Sequence, residues 1–211
     1  MKHIALVALV LCLALALTGC SAPLVSGKRF GSLPEPARDF VQPDQVKTYS
    51  SPDAAWQALE TGYQYETDEW YIADRYGQMI SGGSDTWLMP SEVQQLIDIT
   101  PHSMDCEDGA IWLASALKKQ GLNAWLCVGS VTLSSGTYGH AWTMVLDDGG
   151  WTLYETTTGQ IKHGLPPEYH LSWRTNGQST FINIAETGSW MNAPQIPPDL
   201  LSELRNVLGY E

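Results

Sequence analysis

Basic side chains are scarce in this chain. Lys and Arg number 11 among 211 residues, against 23 Asp and Glu, for a formal net charge of -12. Such a surface repels phosphate backbones, which excludes nucleic acid as a partner. Phenylalanine is rarer still, at three residues, while Trp and Tyr reach nine each. That balance gives large contact area with polar tips, as in extracytoplasmic proteins that handle polar polymers. No apolar stretch is long enough to cross a bilayer comfortably: the longest, Ile4 to Leu17, falls short of the ~20 residues a span needs. No internal repeat is evident, and the chain is long enough for one substantial core but short for two. Cysteine is confined to positions 12, 20, 106 and 127.

The N-terminus reads as a targeting segment. Lys2 precedes the Ile4–Leu17 run, which ends in Leu17-Thr18-Gly19-Cys20. This ending resembles the lipobox of bacterial lipoproteins, which implies cleavage before Cys20 and acylation of its sulfur. More than one acyl chain gives stable anchoring where one is marginal. Residues 1–19 are then a signal peptide, and residues 20–50 a lipidated Cys with a Pro-, Ser- and Gly-rich tether. Residues 51–211 form the folded domain, anchored outside the cytoplasm in the cell envelope. Cys106 and Cys127 are left over, and outside the cytoplasm they can pair as a disulfide. Cys127 lies within Ala124-Trp125-Leu126-Cys127-Val128, a buried-strand pattern that suits a small core residue.

Along the domain, Ser51-Pro52-Asp53 opens a helix, with Pro at its first position. A second helix is predicted over about 68–80, and a third after Pro90 with Ser91 as its cap. The best-defined helix begins at Cys106 behind Asp105 as cap, carries Lys118 and Lys119 in its last turn, and stops at Gly121. Gly109 and Ala110 are small enough to let its start approach a sheet closely. Strands are expected at Leu122–Val131, His140–Leu146, Trp151–Glu155 and Thr180–Ile184, with Asp147-Asp148-Gly149-Gly150 as a hairpin turn. A helix closes the chain over Pro198–Leu208. Helices first and antiparallel strands after them make an α+β fold.

Three chemistries stand out in this order: a thiol at Cys106, an imidazole at His140 and a carboxylate at Glu155. A thiol is a strong nucleophile only as the thiolate, which a neighbouring His supports, and that His needs an acid to fix its tautomer. Strand parity brings the last two together. If Leu146 pairs with Trp151, Trp142 lies opposite Glu155 and His140 is its diagonal neighbour on the same face, at about 7–8 Å. The Cys106 N–H is a natural oxyanion donor. Gln94, Gln95 and Trp87 are candidates for a second.

Asp105-Cys106-Glu107-Asp108 opening a helix, Gly139-His140-Ala141-Trp142 opening a strand, and Trp151 to Glu155 one hairpin later resemble the transglutaminase-like superfamily. The similarity is to its bacterial cysteine-peptidase branch and covers roughly Asp105 to Thr158. It implies a papain-like fold in which N-terminal helices present the nucleophile at a helix start packed on an antiparallel sheet. It also implies a Cys106-His140-Glu155 triad acting on a protein or peptide substrate. Glu155 stands where the family more often has Asp. Asp105, Glu107 and Asp108 crowd the thiol with like charge; a calcium ion, as in adhesin-cleaving relatives, offsets this, with those three as ligands. The alternative is that they cap the helix and complement its dipole, because three adjacent residues cannot fill the roughly six to eight sites calcium takes. No cofactor is required for the thiol chemistry itself. His102, His163 and His170 match no tight zinc spacing. Amide crosslinking, cell-wall amide cleavage and a non-catalytic binding role remain as other functions for the same fold.

Overall fold

A computed structural model of the chain describes residues 28–29, 39–67, 86–99, 101–183 and 194–209. In chain order these hold β1 (Lys28–Arg29), α1 (Pro52–Glu60), β2 (Tyr63–Tyr65), β3 (Thr86–Trp87), α2 (Pro90–Ile97), β4 (His102–Met104) and α3 (Cys106–Lys119). Then follow β5 (Asn123–Leu133), β6 (Gly136–Asp147), β7 (Gly150–Glu155), β8 (Gln160–His163), β9 (Tyr169–Thr175), β10 (Thr180–Ile182) and α4 (Leu201–Val207). The helix expected over 68–80 lies outside the described residues, as does Cys20. No described helix is long and apolar enough to cross a membrane.

The architecture is α+β. Six strands form one antiparallel sheet in the order β10-β9-β5-β6-β7-β8, and α3 lies along it. Three residues, Gln120–Leu122, separate α3 from β5, so the strand must run back along the helix. Since β6 and β9 are antiparallel to β5, both run in the direction of α3. The starts of α3 and β6 therefore meet at one end of the sheet. Packing agrees: Ala110 shares a cluster with Val128 and Ala141, while Ala116 and Leu117 pack near Ala124 and Val145. Thr143 Oγ1 donates to Ala110 O at 2.9 Å and pins the two elements together.

Close approach explains the small residues at the helix start. A Cβ on Gly109 would meet Thr156 Oγ1 at 3.0 Å. Ser51 caps α1 as its sequence predicts, accepting from Ala54 N at 3.1 Å. Two other caps differ from expectation. Met89, not Ser91, precedes α2; Pro90 occupies the first helical position, and Met89 N–H donates to Glu92 Oε2 at 2.8 Å. Asp105 stands at the N-cap of α3 but makes no capping hydrogen bond; its Oδ2 accepts from Gln195 Nε2 at 3.3 Å instead.

Residues 39–50 do more than tether. Phe40, Val41 and Val46 are buried in the clusters around α3, so the packed core reaches upstream of Ser51. A larger surprise is β9, which sits beside β5 where the sequence suggested only a polar, Pro-containing connection. Its register steps from Val128↔Trp173 to Gly129↔Leu171, leaving Ser172 as the extra residue of a bulge. Adjacent Ser172 and Trp173 are consequently both buried, and the period-two pattern is broken.

Candidate active site

The imidazole is the best-determined member. β6 and β7 pair with Leu146 opposite Trp151, the register expected from the hairpin, and His140 Nε2 lies 2.7 Å from Glu155 Oε2. Both side chains are fully buried. The contact suits a carboxylate accepting from Nε2–H, which in the neutral tautomer leaves the lone pair on Nδ1. Nδ1 makes no hydrogen bond among the described residues. The ring itself is clamped, stacked on Trp142 at 5.9 Å and edge-on to Tyr169 at 5.8 Å between centroids. Glu155 has two further donors, Tyr169 O–H at 2.8 Å and Thr157 N–H at 3.0 Å.

Tyr169 carries no motif, and sequence reasoning missed it. The β9 bulge turns it onto the face of Glu155. Burial, with the Glu155 carboxylate and then Cys106 among its neighbours, keeps its hydroxyl well above the ordinary tyrosine range, so it remains a donor. Glu155 and Cys106 thus both lie within electrostatic reach of Tyr169.

Cys106 opens α3 and is nearly buried, in a cluster with Ala141 on the α3 face of the sheet, whereas strand alternation turns His140 to the face of Trp142. Its thiol donates to Glu107 Oε2 at 3.3 Å. The structure joins His140 to Glu155 and brings the first turn of α3 against their strands, with the Cys106 S–H held by Glu107. No disulfide joins Cys106 to Cys127, so the disulfide alternative does not hold. Burial pushes the Cys127 thiol far above the usual range; it faces the other side of the sheet, with Val131, Trp142 and Met144. Removing the charge beside the Cys106 thiol in Glu107→Gln is expected to speed Cys106 alkylation at neutral pH by roughly tenfold, on the scale of one close like charge. Mass-spectrometric timing of iodoacetamide labelling measures it.

The other sequence candidates disperse. Asp108 Oδ1 accepts from Leu88 N–H at 2.9 Å, Glu107 faces the thiol, and Asp105 faces Gln195. Among the described residues these three acids do not converge as a calcium ligand set. His102 bonds Leu59 O, His163 bonds Thr152, and His170 bonds Thr132, on separate elements. Of the oxyanion candidates, Gln94 is committed to Lys47, Trp112, Tyr49 and Asp98, and Gln95 is exposed on the outer side of α2. Trp87 does share the cluster of Cys106. A strap at 194–196 was not foreseen: Pro194 O accepts from Gly139 N–H at 2.9 Å, and Ile196 O accepts from Tyr65 O–H at 3.0 Å.

One nearby carboxyl titrates abnormally. Desolvation first, and then the Glu155 charge, push Glu60 up to about 8 from an ordinary 4.5, against a smaller pull from Arg205. It sits against the turn after Glu155, where a Cβ on Gly159 would collide with its Oε2. The fold prefers the neutral acid. Its contribution to stability is complete below about 4.5 and is lost as pH rises through about 8. Thermal unfolding from pH 5 to 9 should show wild type falling relative to Glu60→Gln, whose neutral amide does not titrate.

No family model matches the chain, and no curated protein matches it. Among solved structures, Legionella pneumophila LapG overlaps it at 18% identity over 68% of this chain and 77% of that one, with a TM-score of 0.44. Its EGTA-treated form overlaps at 17% identity over 76% and 80%, TM-score 0.44. The calcium-bound form does so at 18% identity over 77% and 84%, TM-score 0.45.

Proposed function

We infer that the protein is a lipid-anchored, extracytoplasmic thiol enzyme of transglutaminase-like type that cleaves peptide bonds through Cys106, His140 and Glu155. One observation supports this reading: His140 Nε2 lies 2.7 Å from Glu155 with Nδ1 unbonded among the described residues, and Tyr169, which touches both side chains, is within electrostatic reach of Cys106. A purely structural His–Glu pair does not need a thiol at the adjoining helix start.

The chemistry follows from those roles. His140 Nδ1 takes the Cys106 proton, and the sulfur adds to the substrate carbonyl carbon. Glu155, held by Tyr169 and Thr157, stabilises the imidazolium. The helix dipole of α3 favours the thiolate and offsets part of the charge of Glu107. Cys106 N–H and Trp87 are the candidate donors to the oxyanion. Collapse breaks the C–N bond, and the imidazolium returns its proton to the leaving amine. Water then attacks the thioester, again losing its proton to His140, and frees the acid and the thiol. An amine in place of that water gives crosslinking by the same intermediate.

Wild type and Cys106→Ala are to be incubated with casein, with casein plus a primary amine, and with purified cell wall. New casein N-termini from wild type alone support hydrolysis. Amine incorporation without new N-termini, or release of wall fragments, replaces it by the corresponding transfer or wall-cleaving reaction. Identical behaviour of the two proteins leaves a binding role.

A further inference from the structure

Tyr169 and Arg174 lie on one face of the sheet, which regular alternation forbids. They are an odd number of residues apart on β9, a separation that puts side chains on opposite faces. Yet Arg174 pairs with Cys127 and Tyr169 with Val131, an even separation on β5 and so a single side. The bulge at Ser172 absorbs the odd residue. Gly129 is where β5 admits it. A Cβ there would meet His170 O at 1.9 Å and Ser172 N at 3.0 Å, both backbone atoms that no rotamer change can move aside. Gly129 also pairs with His140 on its other flank, so the position between His140 and the bulged strand carries no side chain.

Tyr169 reaches across that gap. Its ring is edge-on to His140 at 5.8 Å and to Trp142 at 5.2 Å between centroids. Its hydroxyl donates to Glu155 Oε2 at 2.8 Å, the same oxygen that lies 2.7 Å from His140 Nε2. Thr157 N–H uses the other oxygen, Oε1, at 3.0 Å. Two donors on one oxygen compete for its charge, so each bond is weaker than it would be alone. The phenol also favours the ionised carboxylate over the acid. Glu155 therefore stays charged but holds the imidazolium only moderately. A base that must later return its proton needs that restraint, because strength as a base and readiness to act as an acid oppose each other.

We propose that Tyr169 is a positioning residue of this site: placed by the bulge that Gly129 admits, it shares Glu155 Oε2 with His140 and so limits how firmly the carboxylate holds the ring. The proposal rests on His140 being the base in the reading given above. Other titratable groups also face the cluster. Glu60 on α1 and Tyr63 on β2 act toward Glu155, while Cys106 on α3 and Glu168, just ahead of β9, act toward Tyr169.

Proton NMR of the full-length protein tests the sharing. The His140 Nε2–H, in a buried bond to a carboxylate, gives a far-downfield resonance, assigned by its loss in His140→Ala. Tyr169→Phe keeps the aromatic wall and removes the hydroxyl alone. It is expected to move that resonance further downfield, as the remaining bond to Oε2 strengthens. A merely structural hydroxyl would leave the resonance in place, or let it move upfield as the pair loosened. Gly129→Ala should withdraw Tyr169 and move the resonance the same way. In Gly129→Ala/Tyr169→Phe the second change should add nothing, since both act through one hydroxyl. An unmoved or upfield resonance in Tyr169→Phe overturns the proposal. Shifts that add in the double variant overturn the role of Gly129. Should Gly129→Ala fail to fold, Tyr169→Phe decides alone. The resonance is read without substrate, so a protein that cleaves nothing refutes the peptidase reading and not the shared oxygen.

Discussion

Cys106→Ala is expected to abolish peptide hydrolysis, with turnover falling by roughly 10⁴-fold or more, the scale seen when a covalent nucleophile is removed. Oxyanion donors and binding alone set whatever residue of activity persists. The fold should hardly notice. Cys106 is a small side chain at a helix start, and alanine loses one sulfur atom and gains helix propensity. The thiol's hydrogen bond to Glu107 goes to the adjacent residue. Near-wild-type thermal unfolding with lost turnover is the expected pattern. A variant that keeps its activity would move the chemistry elsewhere.

Glu155 should behave differently, because the proposed mechanism makes it structural and mechanistic at once. It accepts from His140, Tyr169 and Thr157 in a fully buried setting. Glu155→Ala strands an imidazole and a phenol in the interior, at a cost of about 3–5 kcal/mol for a broken buried pair. Glu155→Gln separates the two roles. The amide fills the same space and can still bond both neighbours, so most of the stability should survive. Its NH₂ group, however, can donate to Nε2 and shift the ring proton to Nδ1, removing the base. Activity should then fall by about 10³–10⁴-fold. Denaturant unfolding and steady-state rates on the two variants measure these effects side by side.

The His140–Glu155 pairing was legible from sequence because it depends on only two things, side-chain alternation and a hairpin turn. Asp147-Asp148-Gly149-Gly150 marks that turn, and parity survives an error in register of a whole pleat. The approach of α3 was equally readable, since Gly109 and Ala110 remove the bulk that would hold the helix off Thr156 and Thr143. What escaped was non-local. β9 hides behind Pro166 and Pro167, and its bulge at Ser172 buries adjacent residues, so no period-two pattern announces it. Tyr169 depends on that bulge and was lost with it. Asp105 has the composition and position of a cap, but Gln195, 90 residues away, takes its carboxylate. Residues 39–50 look like linker because their apolar residues are few; Phe40 and Val41 are nonetheless packed against the α3 cluster.

The most direct test is the rate at which iodoacetamide alkylates Cys106 as a function of pH, in wild type and in His140→Ala. A thiol served by an imidazole should react far faster than buried Cys127 at pH 6–7, and His140→Ala should remove most of that advantage at neutral pH. If Cys106 reacts no faster than Cys127, or equally fast with and without the ring, the sulfur is not served by the imidazole and the enzyme reading is wrong.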